Sequence, residues 1–114
     1  MREPTDSVLL RIIIGEDDRH EGRLLHAAIL AKAHERRMAG ATLLLCHEGF
    51  GRSRNLRSLI PVDADRRLPV LIEIIDSEAQ IDAFLPVIHD MVESGLVTLE
   101  KLRVIRYPRR HVAA

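Results

Sequence analysis

The chain has 114 residues, the length of one compact domain, and its 46% hydrophobic and 30% charged residues exclude an intrinsically disordered protein. Its 17 Lys and Arg balance 17 Asp and Glu, and only 3% of its residues are aromatic, which argues against a partnership with nucleic acid. The single cysteine, Cys46, allows no internal disulfide, no apolar run is long enough to span a bilayer, and the first residues carry no signal-peptide pattern. We therefore expect a cytoplasmic protein that does not insert into a membrane.

The first part of the chain predicts a strand followed by a helix. Val8–Ile14 is dense in β-branched residues, which favour strands. Asp18 and Glu21 have the spacing of a capping box, which predicts a helix from about residue 19 to residue 38. Gly40 is placed to end that helix in a left-handed conformation.

Three further strands and a second helix follow. Patterns of apolar residues predict strands over 41–48, 68–75 and 96–107. Ser77 and Gln80 again have the capping-box spacing, and the apolar residues after them recur with helical periodicity. The second helix is therefore expected to begin at Ser77.

The resulting order, β-α-β-β-α-β, predicts an α+β fold of the ferredoxin-like class: a four-stranded sheet with two helices on one face. We expect the first and third strands to be central and parallel. A single domain would occupy residues 7–107, with flexible termini at 1–6 and 108–114 and a long loop at 50–67.

One face of this sheet should remain uncovered by helices. Because side chains alternate along a strand, the uncovered face of the first and third strands carries six residues: Leu9, Arg11, Ile13, Leu71, Glu73 and Ile75. Four of the six are large aliphatic side chains, so we predict a homo-oligomer that packs through this face, with Arg11 paired to Glu73. The alternative is an open sheet with some exposed aliphatic residues, which is common.

The residue types needed for metal binding or catalysis do not form a recognisable pattern. No two of the six histidines have the i, i+4 spacing of a zinc-binding helix, and there is no Cys-x-x-Cys motif. Cys46 and His47 are neighbours in a predicted strand and would point to opposite faces. Glu16 and Asp17 leave a divalent-cation role open, but we expect no metal site, no required cofactor and no catalysis.

The most suggestive motif is Gly49-Phe50-Gly51-Arg52, which lies where the second strand ends and the long loop begins. Glycine allows backbone N–H groups to approach an anion closely, and arginine binds phosphate through two hydrogen bonds. Segment 50–67 holds five arginines and two aspartates. A ligand that carries phosphate and a solvated hairpin connection both fit these residues.

Several segments together resemble the PII (GlnB-like) signal-transduction superfamily, and most closely a branch of it that carries a domain-of-unknown-function label. The segments that carry the resemblance are Ile14–Arg23, Glu48–Gly51, Leu68–Val70, Ile72–Glu73, Ala83–Pro86 and Gly95–Lys101. The resemblance implies a homotrimer that binds an adenine nucleotide in clefts between subunits, near the base of the long loop. It also implies that loop 50–67 contacts a partner such as a membrane transporter or ion channel.

The resemblance assigns six residues to the nucleotide site. Gly49, Phe50, Gly51 and Arg52 are assigned by motif, and Arg103 and Arg106 by their place on the last strand. PII proteins hold phosphates with a Gly-Asp-Gly-Lys stretch before that strand, whereas this chain has one glycine and no lysine over 93–97. A mononucleotide or another small anion is therefore favoured over a triphosphate.

Two alternative functions remain open at this stage. The first is an adaptor trimer that recognises a protein partner without a small ligand. The second is an enzyme on the same fold, such as an acylphosphatase, which needs an asparagine beside an arginine cradle; Asn55, the only asparagine, lies in the long loop.

Overall fold

The structure is a computed structural model of the chain, and it describes residues 3–46, 48–49, 57–58 and 68–108. Eight strands and two helices are described. The strands are β1 (Thr5–Gly15), β2 (Arg19–His20), β3 (Arg23–Leu24), β4 (Ala41–Leu45), β5 (Glu48–Gly49), β6 (Arg57–Ser58), β7 (Pro69–Asp76) and β8 (Leu96–Val104). The helices are α1 (Leu25–Glu35) and α2 (Glu78–Met91).

Four strands form the main sheet in the order β4-β7-β1-β8, and every neighbouring pair is antiparallel. The ferredoxin-like fold class is thus confirmed, as is the central position of the first and third long strands. The expectation that these two strands are parallel is wrong. Each helix connects two parallel strands that are separated by one strand, so β7 lies between β1 and β4, and β1 lies between β7 and β8. The inserted strand runs in the opposite direction to both of its neighbours.

The hydrophobic core lies between the sheet and the two helices. Alternate residues of the central strands, including Leu10, Ile12, Ile72 and Ile74, are fully buried there. Phe84 is the largest fully buried side chain and comes from α2. Because both helices contribute to one cluster with these strand residues, both helices cover the same face, as the alternation of the strands predicted.

Helix α1 is shorter than expected because residues 19–24 form a two-stranded hairpin, β2–β3. Asp18 does not cap a helix; its Oδ2 accepts a hydrogen bond from the backbone N–H of Gly15 at 2.8 Å. Glu21 and Gly22 form the turn with φ values of 50° and 79°, the pair of positive angles found in type I′ hairpins. At the other end of α1 the left-handed residue is Arg37, with φ of 57°, and not Gly40.

Helix α2 begins where the sequence predicts. Ser77 is its N-cap, and the Ser77 hydroxyl accepts a hydrogen bond from the backbone N–H of Gln80 at 3.2 Å. The carboxylate of Asp76, which is 9% exposed, accepts hydrogen bonds from the N–H groups of Ser77 at 2.7 Å and Ala39 at 2.8 Å. Asp76 thus joins the end of β7, the start of α2 and the turn before β4. Within the described residues, no helix is long and apolar enough to cross a membrane.

Candidate functional site

The two ends of the long loop lie side by side at one end of the sheet. The backbone N–H of Cys46, just after β4, donates to the carbonyl of Pro69 at the start of β7, at 3.2 Å. The N–H of Glu16, just after β1, donates to the carbonyl of Leu68 at 2.8 Å. The loop therefore leaves and re-enters the fold at a point held by backbone hydrogen bonds.

The predicted glycine motif begins inside a short β-ladder at this loop base. Gly49 pairs with Arg57, and Glu48 pairs with Ser58, in antiparallel register. Phe50, Gly51 and Arg52 lie outside the described residues. The ladder brings the backbone of Gly49 opposite that of one of the loop arginines.

Arg103 and Arg106 do not share a site with this motif within one chain. Gly49 follows β4, at one edge of the sheet, on the side where β1 ends. Arg103 lies at the other edge, near the end of β8, where it stands in register with Asp6 at the start of β1. Arg106 lies beyond β8, which ends at Val104 and not at the predicted Tyr107. The two parts of the predicted site are thus at opposite corners of the sheet, and one chain alone does not join them.

The segment before β8 is shaped by packing at Gly95. A Cβ atom on Gly95 would lie 2.6 Å from the carbonyl oxygen of Ile13 and 2.9 Å from Cγ2 of Ile14. Real Cβ atoms do not approach a backbone oxygen so closely, so glycine is required here for the contact between β8 and β1. The single glycine of this stretch therefore has a structural reason that needs no phosphate.

The sheet face without helices, here called the open face, carries side chains in rows that cross all four strands. One row is apolar along its whole length: Leu44, Leu71, Ile13 and Leu96. The next row is polar or charged: Thr42, Glu73, Arg11 and Thr98. Leu44 and Leu96, at the two ends of the apolar row, are 42% and 56% exposed. Such a continuous stripe of leucine and isoleucine is typical of a surface that another protein covers.

The predicted pair between Arg11 and Glu73 is present in the charged row. Nε of Arg11 lies 2.9 Å from Oε2 of Glu73, and Nη1 of Arg11 lies 3.6 Å from Oε1 of Glu100. The hydrogen bond to Glu73 raises the pKa of the Arg11 guanidinium above its ordinary value. The guanidinium is therefore a permanent cation in the middle of the open face, already paired before any partner arrives.

In the part of the chain that the structure describes, no group of three or more His, Cys, Asp or Glu side chains is arranged to hold a metal ion.

Residue patterns alone did not reveal the hairpin β2–β3 or the cleft that it forms with the two helices. Gly22 was a signal for the turn, since glycine is unfavourable inside a helix and suits a tight turn.

Solved structures share this fold. Two structures of CPII from Thiomonas intermedia K12, a nitrogen regulatory PII-like protein, superpose on the chain. The one bound to ADP and bicarbonate has a TM-score of 0.58 and 19% sequence identity, and the match covers 93% of this chain and 95% of that one. The one bound to ADP, AMP and bicarbonate has a TM-score of 0.60 and 17% identity, with coverage of 93% and 94%. At such identities the likeness concerns the fold, and it confirms the expected PII-like architecture.

Relatives by sequence are closer. A UPF0166 protein of Aquifex aeolicus is 38% identical over 97 residues, which cover 85% of this chain and 91% of the relative. A UPF0166 protein of Methanocaldococcus jannaschii is 28% identical over 102 residues, which cover 86% and 91%. The family model of DUF190, described as an uncharacterized ACR, matches residues 7–104. The fold and these matches together place the chain in the DUF190 family, a PII-like branch with a domain-of-unknown-function label.

Proposed function

We propose that this protein is a non-catalytic PII-like regulator, a homotrimer that binds an adenine nucleotide or a similar small anion in clefts between its subunits. The observation that carries the proposal is the split of the candidate site across the sheet. Gly49 and Arg103 lie at opposite corners of one chain, so a site built from both needs two copies. A ligand between two subunits would bind only to the assembled protein.

The open face supplies the surface for that assembly. Its apolar row is partly exposed in the single chain, and the charge of Arg11 is balanced there by Glu73 at 2.9 Å and Glu100 at 3.6 Å. Full burial of an exposed leucine side chain is worth about 1.5–3 kcal/mol, and Leu44 and Leu96, which are 42% and 56% exposed, keep about half of that for an interface. A paired arginine can enter an interface at a smaller desolvation cost than an isolated one.

The choice of ligand draws on the CPII structures, which contain ADP and, in one case, also AMP. The motif Gly49-Phe50-Gly51-Arg52 offers backbone N–H groups, an aromatic ring and a guanidinium, which match phosphate and a base. Loop 50–67 would carry the signal to a partner such as a membrane transporter or ion channel, because a ligand at Gly49 would lie where this segment leaves the fold.

Calorimetric titration with AMP, ADP, ATP and cyclic AMP tests the ligand. We expect binding of a nucleoside monophosphate or diphosphate, and a loss of about tenfold or more in affinity for Arg52→Ala and for Arg106→Ala, because each removes a charge-assisted hydrogen bond. Arg37→Asn removes a cation just after α1, outside both candidate sites, with a residue that tolerates the left-handed conformation, and it serves as the control with unchanged affinity. Absence of heat with all four nucleotides would refute the proposed ligand.

The assembly is tested separately by light scattering. Leu96→Glu places a charge in the apolar row of the open face, where the parent side chain is already exposed in one chain, so the fold should survive. We expect a trimer for the parent protein, with three times the 12.9 kDa of one chain, and a monomer for the variant. Leu99→Glu is the control, since Leu99 is 53% exposed on the same strand but pairs with Leu10 on the helix side. A trimer that binds no nucleotide would instead favour the adaptor function.

A further inference from the structure

The helix side of the sheet carries a second concave site, which shares no residue with the glycine motif. The hairpin β2–β3 reaches alongside α1 and α2 and encloses a cleft of about 390 Å³ with them. That volume lies in the range of small-ligand sites, which are typically about 300–1,000 Å³. The cleft, here called the hairpin cleft, is lined by side chains from all three elements.

Helix α1 and its C-cap residue, Arg36, contribute two cations to the hairpin cleft. Lys32 and Arg36 are four residues apart, so they lie one turn apart on the same side of the helix, with Ala28 one turn earlier in the same row. Like charges at this spacing repel each other by a few tenths of a kcal/mol. Nζ of Lys32 lies 3.7 Å from Oε2 of Glu35, whereas Arg36 has no ion pair with any described residue.

The hairpin contributes a third cation from a different direction. Arg23 and the partly buried His20 line the hairpin cleft, and Arg23 too has no ion pair within the described part of the chain. The hairpin is held in place by its turn and by a 2.7 Å hydrogen bond from the N–H of Leu25 to the carbonyl of Asp18. The position of the Arg23 backbone is thereby fixed. An anion could bind between Arg23 on the hairpin and the cations of α1.

Helix α2 completes the lining with one carboxylate and an apolar wall. Asp90 is a hydrogen-bond acceptor, and Val87 and Met91 offer aliphatic and thioether surface. The second carboxylate of the cleft, Glu21, is 83% exposed and lies 3.9 Å from Nε2 of His20. Three basic side chains, Arg23, Lys32 and Arg36, therefore face two carboxylates, one of which is largely in solvent.

We infer that the hairpin cleft binds a small organic oxyanion, a phosphate monoester or a carboxylate, that also carries a hydroxyl or amino group. The oxyanion lies between Arg23 and the Lys32–Arg36 pair, where it relieves their mutual repulsion and gains charge-assisted hydrogen bonds. The hydroxyl or amino group donates to Asp90, and the carbon skeleton packs against Met91. This site lies within one chain, so it does not depend on the trimer or on the nucleotide site.

Two-dimensional NMR with amide labelling tests the inference with three probes: inorganic phosphate, glycerol 3-phosphate and L-serine. The phosphate probe reports the oxyanion alone, and the other two separate phosphate monoester from carboxylate. We expect saturable shifts for residues of α1 and the hairpin with at least one organic probe, and affinity that falls as salt is added.

Variants identify the groups responsible. Lys32→Gln with Arg36→Gln should weaken binding by about tenfold or more, and Asp90→Asn should weaken the organic probes but not inorganic phosphate. Lys101→Gln, on β8 and paired with Glu78, is the control and should leave all three titrations unchanged. Arg52→Ala should also leave them unchanged, which separates this site from the nucleotide site. Titrations without saturable shifts in α1 and the hairpin, or shifts that the double variant does not alter, would overturn the inference.

Discussion

Replacement of Gly95 by alanine is the sharpest test of how the last strand is held against the first. The added Cβ would lie 2.6 Å from the Ile13 carbonyl oxygen, about 1 Å inside an ordinary contact of roughly 3.5 Å. That oxygen belongs to the backbone of a central strand, and Ile13 is in register with Leu96, so neither side can move without disturbing the ladder. The backbone of Gly95, with φ of 158°, is also one that L residues rarely adopt. Insertion of a methyl group into a packed site costs about 1–3 kcal/mol.

We therefore expect Gly95→Ala to lower the free energy of unfolding by about 2 kcal/mol, which lowers Tm by about 8 °C for a domain of this size. Denaturant unfolding followed by circular dichroism, at one fixed protein concentration, measures the change. Gly40→Ala is the matched control: a Cβ there meets no atom within 4 Å, so that variant should be neutral or slightly more stable. If Gly95→Ala kept full stability but lost nucleotide binding, our assignment of this glycine to packing would be refuted.

Three further predictions concern contacts that the structure shows. Asp76→Ala leaves two backbone N–H groups without their acceptor and should destabilise the fold by about 1–3 kcal/mol in denaturant unfolding, and an unchanged midpoint would contradict the bonding described. Ser77→Ala removes the N-cap of α2 and should cost about 1 kcal/mol, while Ser77→Asp, which restores an acceptor, should cost less. Glu73→Leu should weaken self-association measured by sedimentation, because it leaves Arg11 without its nearest partner, and Arg11→Leu in addition should restore it. Equal association of the single and double variants would argue against burial of the pair.

The architecture could be predicted from local patterns because most long elements have a clear period in their apolar residues. Val8–Ile14 and the apolar residues around Phe84 alternate with the periods of a strand and a helix, and both patterns correspond to the buried residues observed. The Arg11–Glu73 pair could be predicted for the same reason, since side-chain alternation and strand order fix which side chains lie on the same face of neighbouring strands. The start of α2 at Ser77 followed from a cap whose partner is only three residues away.

The errors have a common cause in competition between local and tertiary interactions. The spacing from Asp18 to Glu21 suits a helix start, but Asp18 bonds to Gly15 and the chain turns at Gly22 before α1 begins. The same competition shifted the end of α1, where Arg37 takes the left-handed conformation expected of a later glycine. A capping residue has more than one possible donor within reach, and only the surrounding packing selects among them.

Sequence periodicity sufficed to predict the four long strands, helix α2 and the faces that they bury, because burial of an apolar face is a local requirement with a fixed period. The family resemblance came from particular segments, such as Glu48–Gly51 and Gly95–Lys101. It could not define the direction of neighbouring strands, the hairpin beside α1 or the distance between Gly49 and Arg103. Those depend on which strand fills the gap left by each helical crossover, and that choice is made by contacts between residues far apart in the chain. The separation of the glycine motif from the last strand, and the hairpin cleft with its three cations, are consequences of that three-dimensional choice.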